Sequence, residues 1–280
     1  MSDSSRREWS TLSRAPSLRP EPKVGLFSEL PNLVRVEVEA RERVLHDGYD
    51  LGLVREFCGR KDYREVLDLL QLLDSCAAEL AFEAGPCRWI DVGARSWNYV
   101  AAIERFANAR RRAGSEEPFH LTGIEIDGNA RTPDGSTCAA YGRAHAGRVV
   151  AAARAGDGHG PTPRLEYEVT DFREWERSGS PAGVVSMLFP FVTAPPLLAS
   201  GLPFEALDPT QLVLAAAGQL AAGGRLLTLH PSKAEADRMV STVAASGAPL
   251  ALRRVQRHQT KILPYWVKTQ DRHAVVFERR

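Results

Sequence analysis

The sequence predicts an α/β fold: a mostly parallel, helix-covered sheet of seven strands with a helical extension in front of it. Two observations predict this. From Cys87 onward, short apolar runs alternate with segments of helical period. The last two runs then follow one another with no clear helix between them. A parallel pair needs a long crossover, usually helical, so these two form an antiparallel hairpin at the C-terminal end.

Residues 1–22 are rich in Ser, Arg and Pro and read as a disordered arm. Residues 23–85 read as a helical extension or cap. Leu33, Val34, Val36 and Val38 alternate imperfectly, and the Glu/Arg-rich stretch after them suits a helix. Leu67, Leu69, Leu70, Leu72 and Leu73, with Ala77, Ala78 and Leu80 beyond, have helical spacing closed by Gly85-Pro86.

Residues 86–280 form the α/β domain. Its strands are CRWIDVGA, HLTGIEID, LEYEVTDF, GVVSMLFPF, GRLLTLHP, PLALRRVQRH and HAVVFERR. WNYVAAIERFANARRRAG is the first helix and ends at Gly114; a second runs from Ser136 to Ala155, capped by Ser136 or Thr137. A third is DPTQLVLAAAGQLAAGG, with Asp208 as N-cap and Pro209 in the first turn. Ser232 caps a fourth that reaches Gly247. The Pro-rich stretch SMLFPFVTAPPLLASGLPF reads as a long loop, either a substrate-side wall or a packed connection. Tyr265-Trp266 reads first as packing on the sheet edge, and second as a cover over a pocket.

The totals narrow the function. Formal net charge is +1, so no bulk field draws the chain to nucleic acid or membrane, and neither is expected as a partner. Cys58, Cys76, Cys87 and Cys138 make no CxxC pair and no zinc ligand set, so no metal is expected. They read as reduced thiols of a cytoplasmic protein. The polar N-terminus lacks the apolar core of a secretory signal, and no apolar run is long enough to span a membrane.

In open α/β sheets ligands bind at the carboxyl ends of the strands. The first strand-to-helix turn here reads Asp91-Val92-Gly93-Ala94-Arg95-Ser96-Trp97-Asn98-Tyr99. Gly93 suits a tight turn or a close approach of backbone to ligand. Glu125 and Asp127, ending the second strand, are each placed to accept ribose hydroxyls. Trp97 and Tyr99 either touch a ligand or pin the helix. His230, ending the fifth strand, stands where a general base would, although a lone histidine is more often structural.

WIDVGA, GIEID, the strand ending Thr170-Asp171-Phe172, and GGRLLTL come in the order that resembles class I S-adenosylmethionine-dependent methyltransferases, over roughly residues 87–280. The resemblance implies a Rossmann-like sheet and S-adenosylmethionine as cofactor. It assigns Asp91 and Gly93, with Ala94 and Arg95 in the same turn, to the amino-acid part of the cofactor, Glu125 to the ribose, and Asp171 and Phe172 to the adenine. The chain departs from the family at the first turn, which is usually glycine-rich. Here Arg95 and Trp97 are bulky, and Arg95 could pair with the cofactor carboxylate. The expected activity is methyl transfer to a small molecule, with a secondary metabolite as one candidate. The alternative is a catalytically inactive binding protein on the same fold. A hydride-transferring enzyme is disfavoured because it requires G-x-G-x-x-G at this turn. Oligomeric state is left open, with a homodimer as one candidate.

Overall fold

The computed structural model describes residues 16–80, 88–111, 117–155, 161–176, 179–263 and 271–280. Gly85-Pro86, Cys87, Gly114, Tyr265 and Trp266 lie outside the described residues, as do residues 1–15 of the expected arm.

Among the described residues three helices come first: α1 (Asn32–Gly48), α2 (Gly52–Phe57) and α3 (Arg60–Ser75). Then β1 (Arg88–Val92), α4 (Val100–Arg110), β2 (His120–Glu125), α5 (Cys138–Ala155), β3 (Arg164–Val169) and β4 (Ala182–Leu188) alternate. A short helix α6 (Ala194–Ala199) and a 3-10 turn (Phe204–Ala206) lead to α7 (Pro209–Gln219), β5 (Leu220–His230), α8 (Lys233–Ser246), β6 (Leu250–Gln259) and β7 (Asp271–Arg279).

The seven strands form one sheet in the order β3-β2-β1-β4-β5-β7-β6. The first five pair in parallel. β7 runs antiparallel between β5 and β6, so the expected C-terminal hairpin is present. Strand order reverses between β1 and β4, which sets a topological switch point there.

The two-residue period of the strands sorts side chains into two cores. Trp89, Val184 and Leu227 face one side with α3, α4 and α5; Ile90, Val185 and Leu226 face the other with α7 and α8. The leucines of α3 are buried in the first core, so the extension is a layer on the sheet and shares its core.

Local chemistry sets the boundaries. Thr137 accepts the Ala140 N–H and caps α5; Asp208 accepts from Gln211 N at 2.9 Å to cap α7. Ser232 caps α8 through Glu235 N, and Gly247 closes it with φ of 69°. Three expectations change. The third helix stops at Gln219 rather than running on to Gly224, because Leu220 pairs with Ala182 and starts β5 early through an irregular register. Part of the Pro-rich loop is helical. In the expected arm, residues 16–22 are anchored: Glu21 accepts Arg60 N at 2.6 Å, and Arg148 bonds the Leu18 carbonyl.

Candidate functional site

A cavity of about 310 Å³ opens at the carboxyl ends of β1 to β4. That is the low end of the size range of small-molecule sites, in the place the topology favours. Its walls include Gly93 and Arg95 after β1, Glu125 to Asp127 after β2, Asp171 to Arg173 after β3 and Leu188 to Phe191 after β4. Pro196, Ser200 and Leu202 of the Pro-rich segment complete it, together with Ala206, Asp208 and Leu212. The segment read as a wall or a packed connection does line this cavity.

Six of the predicted residues therefore meet on one cavity: Gly93, Arg95, Glu125, Asp127, Asp171 and Phe172. Asp91, Ala94 and His230 do not line it. Asp91 shares the strand parity of Trp89, so its carboxylate faces the α3–α5 core and is fully buried. It accepts from Ser186 Oγ at 2.5 Å, Trp97 Nε1 at 2.9 Å and Tyr99 Oη at 3.0 Å. Ser186 in turn accepts from Trp89 Nε1 at 2.8 Å. Burial pushes the Asp91 carboxyl up to about 6, against the pull of its three donors. Asp91 thus acts as an internal anchor, and Trp97 and Tyr99 pin the turn. Ala94 is buried in the same core.

The turn takes up left-handed backbone at one glycine and at two residues that are not glycine. Gly93, Arg95 and Trp97 all take positive φ, at 80°, 49° and 51°. For the two non-glycine residues this costs roughly 1–2 kcal/mol each. Three contacts hold the strained form. Glu125 accepts from Arg95 N at 2.7 Å, Tyr167 Oη bonds the Arg95 carbonyl, and the Trp97 indole lies against β2. A Cβ at Gly123 would come within 2.7 Å of that indole, so Gly123 is required by Trp97.

Glu125 also accepts from Asp127 N at 3.0 Å, so each carboxylate oxygen takes one backbone N–H and keeps acceptor capacity. Asp171 is gripped by Arg173, whose Nε stands 3.0 Å from both carboxylate oxygens; this ion pair holds the Asp171 carboxyl below its ordinary value. Arg173 lines the cavity and was missed in the sequence. A cation two residues after an acid in a loop was the available signal. Phe189 was also missed. It takes φ of 59° directly before Pro190, with its N–H on the Leu229 carbonyl at 2.8 Å.

His230 is fully buried on the α7–α8 side of β5. Burial lowers its pKa to about 4, so it is neutral at pH 7, and its Nε2 lies 2.9 Å from Thr228 Oγ1. Closed off from the cavity, it is no base for a ligand there. None of residues 16–80 lines this cavity either. Among the described residues, no cluster of His, Cys, Asp or Glu could hold a metal, and no helix is long and apolar enough to cross a membrane.

The residues present fit the adenosine end of S-adenosylmethionine: a strand-two acid with free acceptor capacity beside the apolar Ile126, Phe172 and Leu188. At the amino-acid end Asp91 is withdrawn, which leaves Arg95 as the charged side chain of the turn.

The fold is that of class I S-adenosylmethionine-dependent methyltransferases. A structure of a candidate member from Listeria monocytogenes aligns with a TM-score of 0.50 at 10% identity, covering 76% of this chain and 59% of that one. This chain thus spans under two thirds of that structure's length. TrmN from Thermus thermophilus aligns at TM-score 0.46 and 16% identity over 79% of this chain and 53% of that one. The N-methyltransferase NodS from Bradyrhizobium japonicum, in complex with S-adenosyl-L-homocysteine, aligns at 0.43 and 11% over 75% and 86%. No protein-family model and no curated protein sequence matches the chain.

Proposed function

We propose that the protein is an S-adenosylmethionine-dependent methyltransferase acting on a small-molecule acceptor. One observation carries the reading: at the switch point of a methyltransferase-type sheet, Glu125, Asp171 and Phe172 line a single cavity together with the apolar Ile126 and Leu188. In this reading Glu125 takes the ribose hydroxyls and Ile126 and Phe172 flank the adenine. Asp171 faces the adenine amino group with the acceptor capacity Arg173 leaves it, and Arg95 meets the cofactor carboxylate. Bound there, the cofactor supplies an electrophilic methyl group.

The remaining work falls to positioning and water exclusion by the Pro-rich wall. The ionisable groups on the described cavity wall are carboxylates and arginines. That suits an acceptor atom needing no strong base. The near-zero net charge favours a small molecule over a polyanion.

Calorimetric titration with S-adenosylmethionine and S-adenosyl-L-homocysteine tests the reading. Micromolar binding, about −8 kcal/mol, is expected, and Glu125→Ala should weaken it at least tenfold, about 1.4 kcal/mol. A folded wild-type protein that binds neither compound would overturn it. The second reading, a non-catalytic binding protein, is favoured by the withdrawn Asp91 and the filled glycine turn. It predicts no turnover with any acceptor.

A further inference from the structure

Phe189 stands at a strained point of the cavity wall. Its φ of 59° lies in the left-handed region, which a bulky side chain rarely takes, and Pro190 after it favours extended backbone instead. Strain of this kind persists only where the surroundings impose it, and it gathers at ligand sites. One restraint is the Phe189 N–H on the Leu229 carbonyl at 2.8 Å. That bond fixes the backbone and leaves the half-buried ring to a second partner.

The second partner comes from the far end of the chain. The Arg272 guanidinium lies over the Phe189 ring, 5.8 Å from its centroid and within reach of a cation–π contact. Arg272 shares the strand parity of Ala274 and Val276, so its side chain leaves β7 on the side of α3. There it donates to the Asp68 carboxylate of α3, which also meets His258 Nε2 at 3.2 Å. Asp68, His258 and Arg272 are all buried. A buried ion pair is a weak source of stability against an apolar pair of the same size. What the ionic pair adds is a fixed, desolvated positive charge under the ring, where a cation–π contact counts most.

We propose that Arg272 is a positioning residue of the strand-end cavity, clamped by Asp68 and holding the Phe189 ring on the cavity wall. Residues 16–80 do not line the cavity, yet α3 acts on it through these two side chains. That the held ring sets ligand affinity rests on the reading of the cavity as an S-adenosylmethionine site; the placement of the ring does not.

The test removes both charges together in Asp68→Asn/Arg272→Met, since Arg272→Met alone would strand a buried carboxylate. With 4-fluorophenylalanine in place of phenylalanine, the Phe189 fluorine resonance is assigned by its loss in Phe189→Leu. It should move and sharpen in the charge-free chain as the ring is freed. Arg272→Lys keeps the cation and should leave it near its wild-type position. Calorimetric titration with S-adenosyl-L-homocysteine reads the consequence. The charge-free chain and Phe189→Leu should each bind about fivefold more weakly, the loss of one desolvated cation–π contact. The changes combined should lose no more than the larger alone, because they break one shared contact. A role in folding alone would lower the melting temperature and move neither readout. Should the charge-free chain fail to fold, the contact is read from its other side: the Arg272 Nε–H resonance, assigned by its loss in Arg272→Lys, should move in Phe189→Leu as the ring current goes. An unmoved resonance on either side overturns the inference. So does wild-type affinity in the charge-free chain, or losses that multiply when combined. A moved Phe189 resonance in a protein whose wild type binds no S-adenosyl-L-homocysteine would support the placement of the ring and overturn the proposed function instead.

Discussion

Replacing Asp91 by Asn should make the stability difference from wild type depend on pH. The carboxyl is fully buried, and its pKa rises from 3.8 to about 6 on folding. A raised acid pKa means the folded state holds a proton that the unfolded state has released. The stabilisation is therefore complete below 3.8 and lost as pH rises through about 6. The shift of about two units corresponds to about 3 kcal/mol in full, of which about 2.4 kcal/mol falls between pH 4 and 7.5. Asn does not titrate. Its side-chain oxygen can still accept from Trp97 and Tyr99, while the Ser186 hydroxyl loses its acceptor, a cost of about 1–3 kcal/mol at every pH. Relative to wild type, Asp91→Asn should thus be less stable near pH 4 and close to equal at pH 7.5. Urea melts followed by tryptophan fluorescence over that range measure the difference. A difference flat to within 1 kcal/mol would mean that Asp91 reaches water, and the anchor role assigned to it would fall.

Three further outcomes follow from the same physics. Burial raises the Glu104 carboxyl from 4.5 to about 7, so Glu104→Gln should match wild type near pH 4 and exceed it by up to about 3 kcal/mol at pH 8 in thermal melts. His230 has the opposite sign: burial lowers it from 6.5 to about 4, so its contribution is present above 6.5 and lost as pH falls through 4, and His230→Asn should flatten the acid limb of the stability curve in that window. Arg95→Gly should raise the urea midpoint by an amount equal to about 0.5–1 kcal/mol, because glycine removes the positive-φ strain and keeps the N–H that Glu125 accepts; a lowered midpoint would show the strain to be absent.

The parts of this fold legible in the sequence were those fixed by neighbours in the chain. The caps at Asp208 and Ser232 act within three residues, and the αL stop at Gly247 needs only its own backbone. The strand-end acids Glu125 and Asp171 were legible because a parallel sheet delivers strand ends to one edge. What escaped depends on distant partners. Leu220 reads as helix until Ala182 recruits it to the sheet. Asp91 reads as a ligand contact until Ser186, far along the chain, and Trp97 and Tyr99 claim its oxygens. His230 was judged by its place on the strand, and its complete burial rests on packing from elements far along the chain, which strand position does not show.

The first turn shows how a site can keep its shape while changing its chemistry. Three alternate positions take positive φ, a conformation that favours glycine, and two of them carry other residues. The cost of roughly 1–2 kcal/mol per residue is met by contacts a true glycine loop lacks: an indole laid over Gly123 and bonded to Asp91, and a tyrosine on the Arg95 carbonyl. Asp91, which strand parity turns inward, is occupied by these donors and by Ser186. On the proposed function, a cofactor must then be held mainly by its adenosine half, through Glu125 and Phe172, and its carboxylate by Arg95. Affinity should therefore respond to Glu125 far more than to Asp91. If Asp91→Asn abolished binding of S-adenosyl-L-homocysteine while Glu125→Ala left it intact, with both variants folded, this division between shape and chemistry would be reversed.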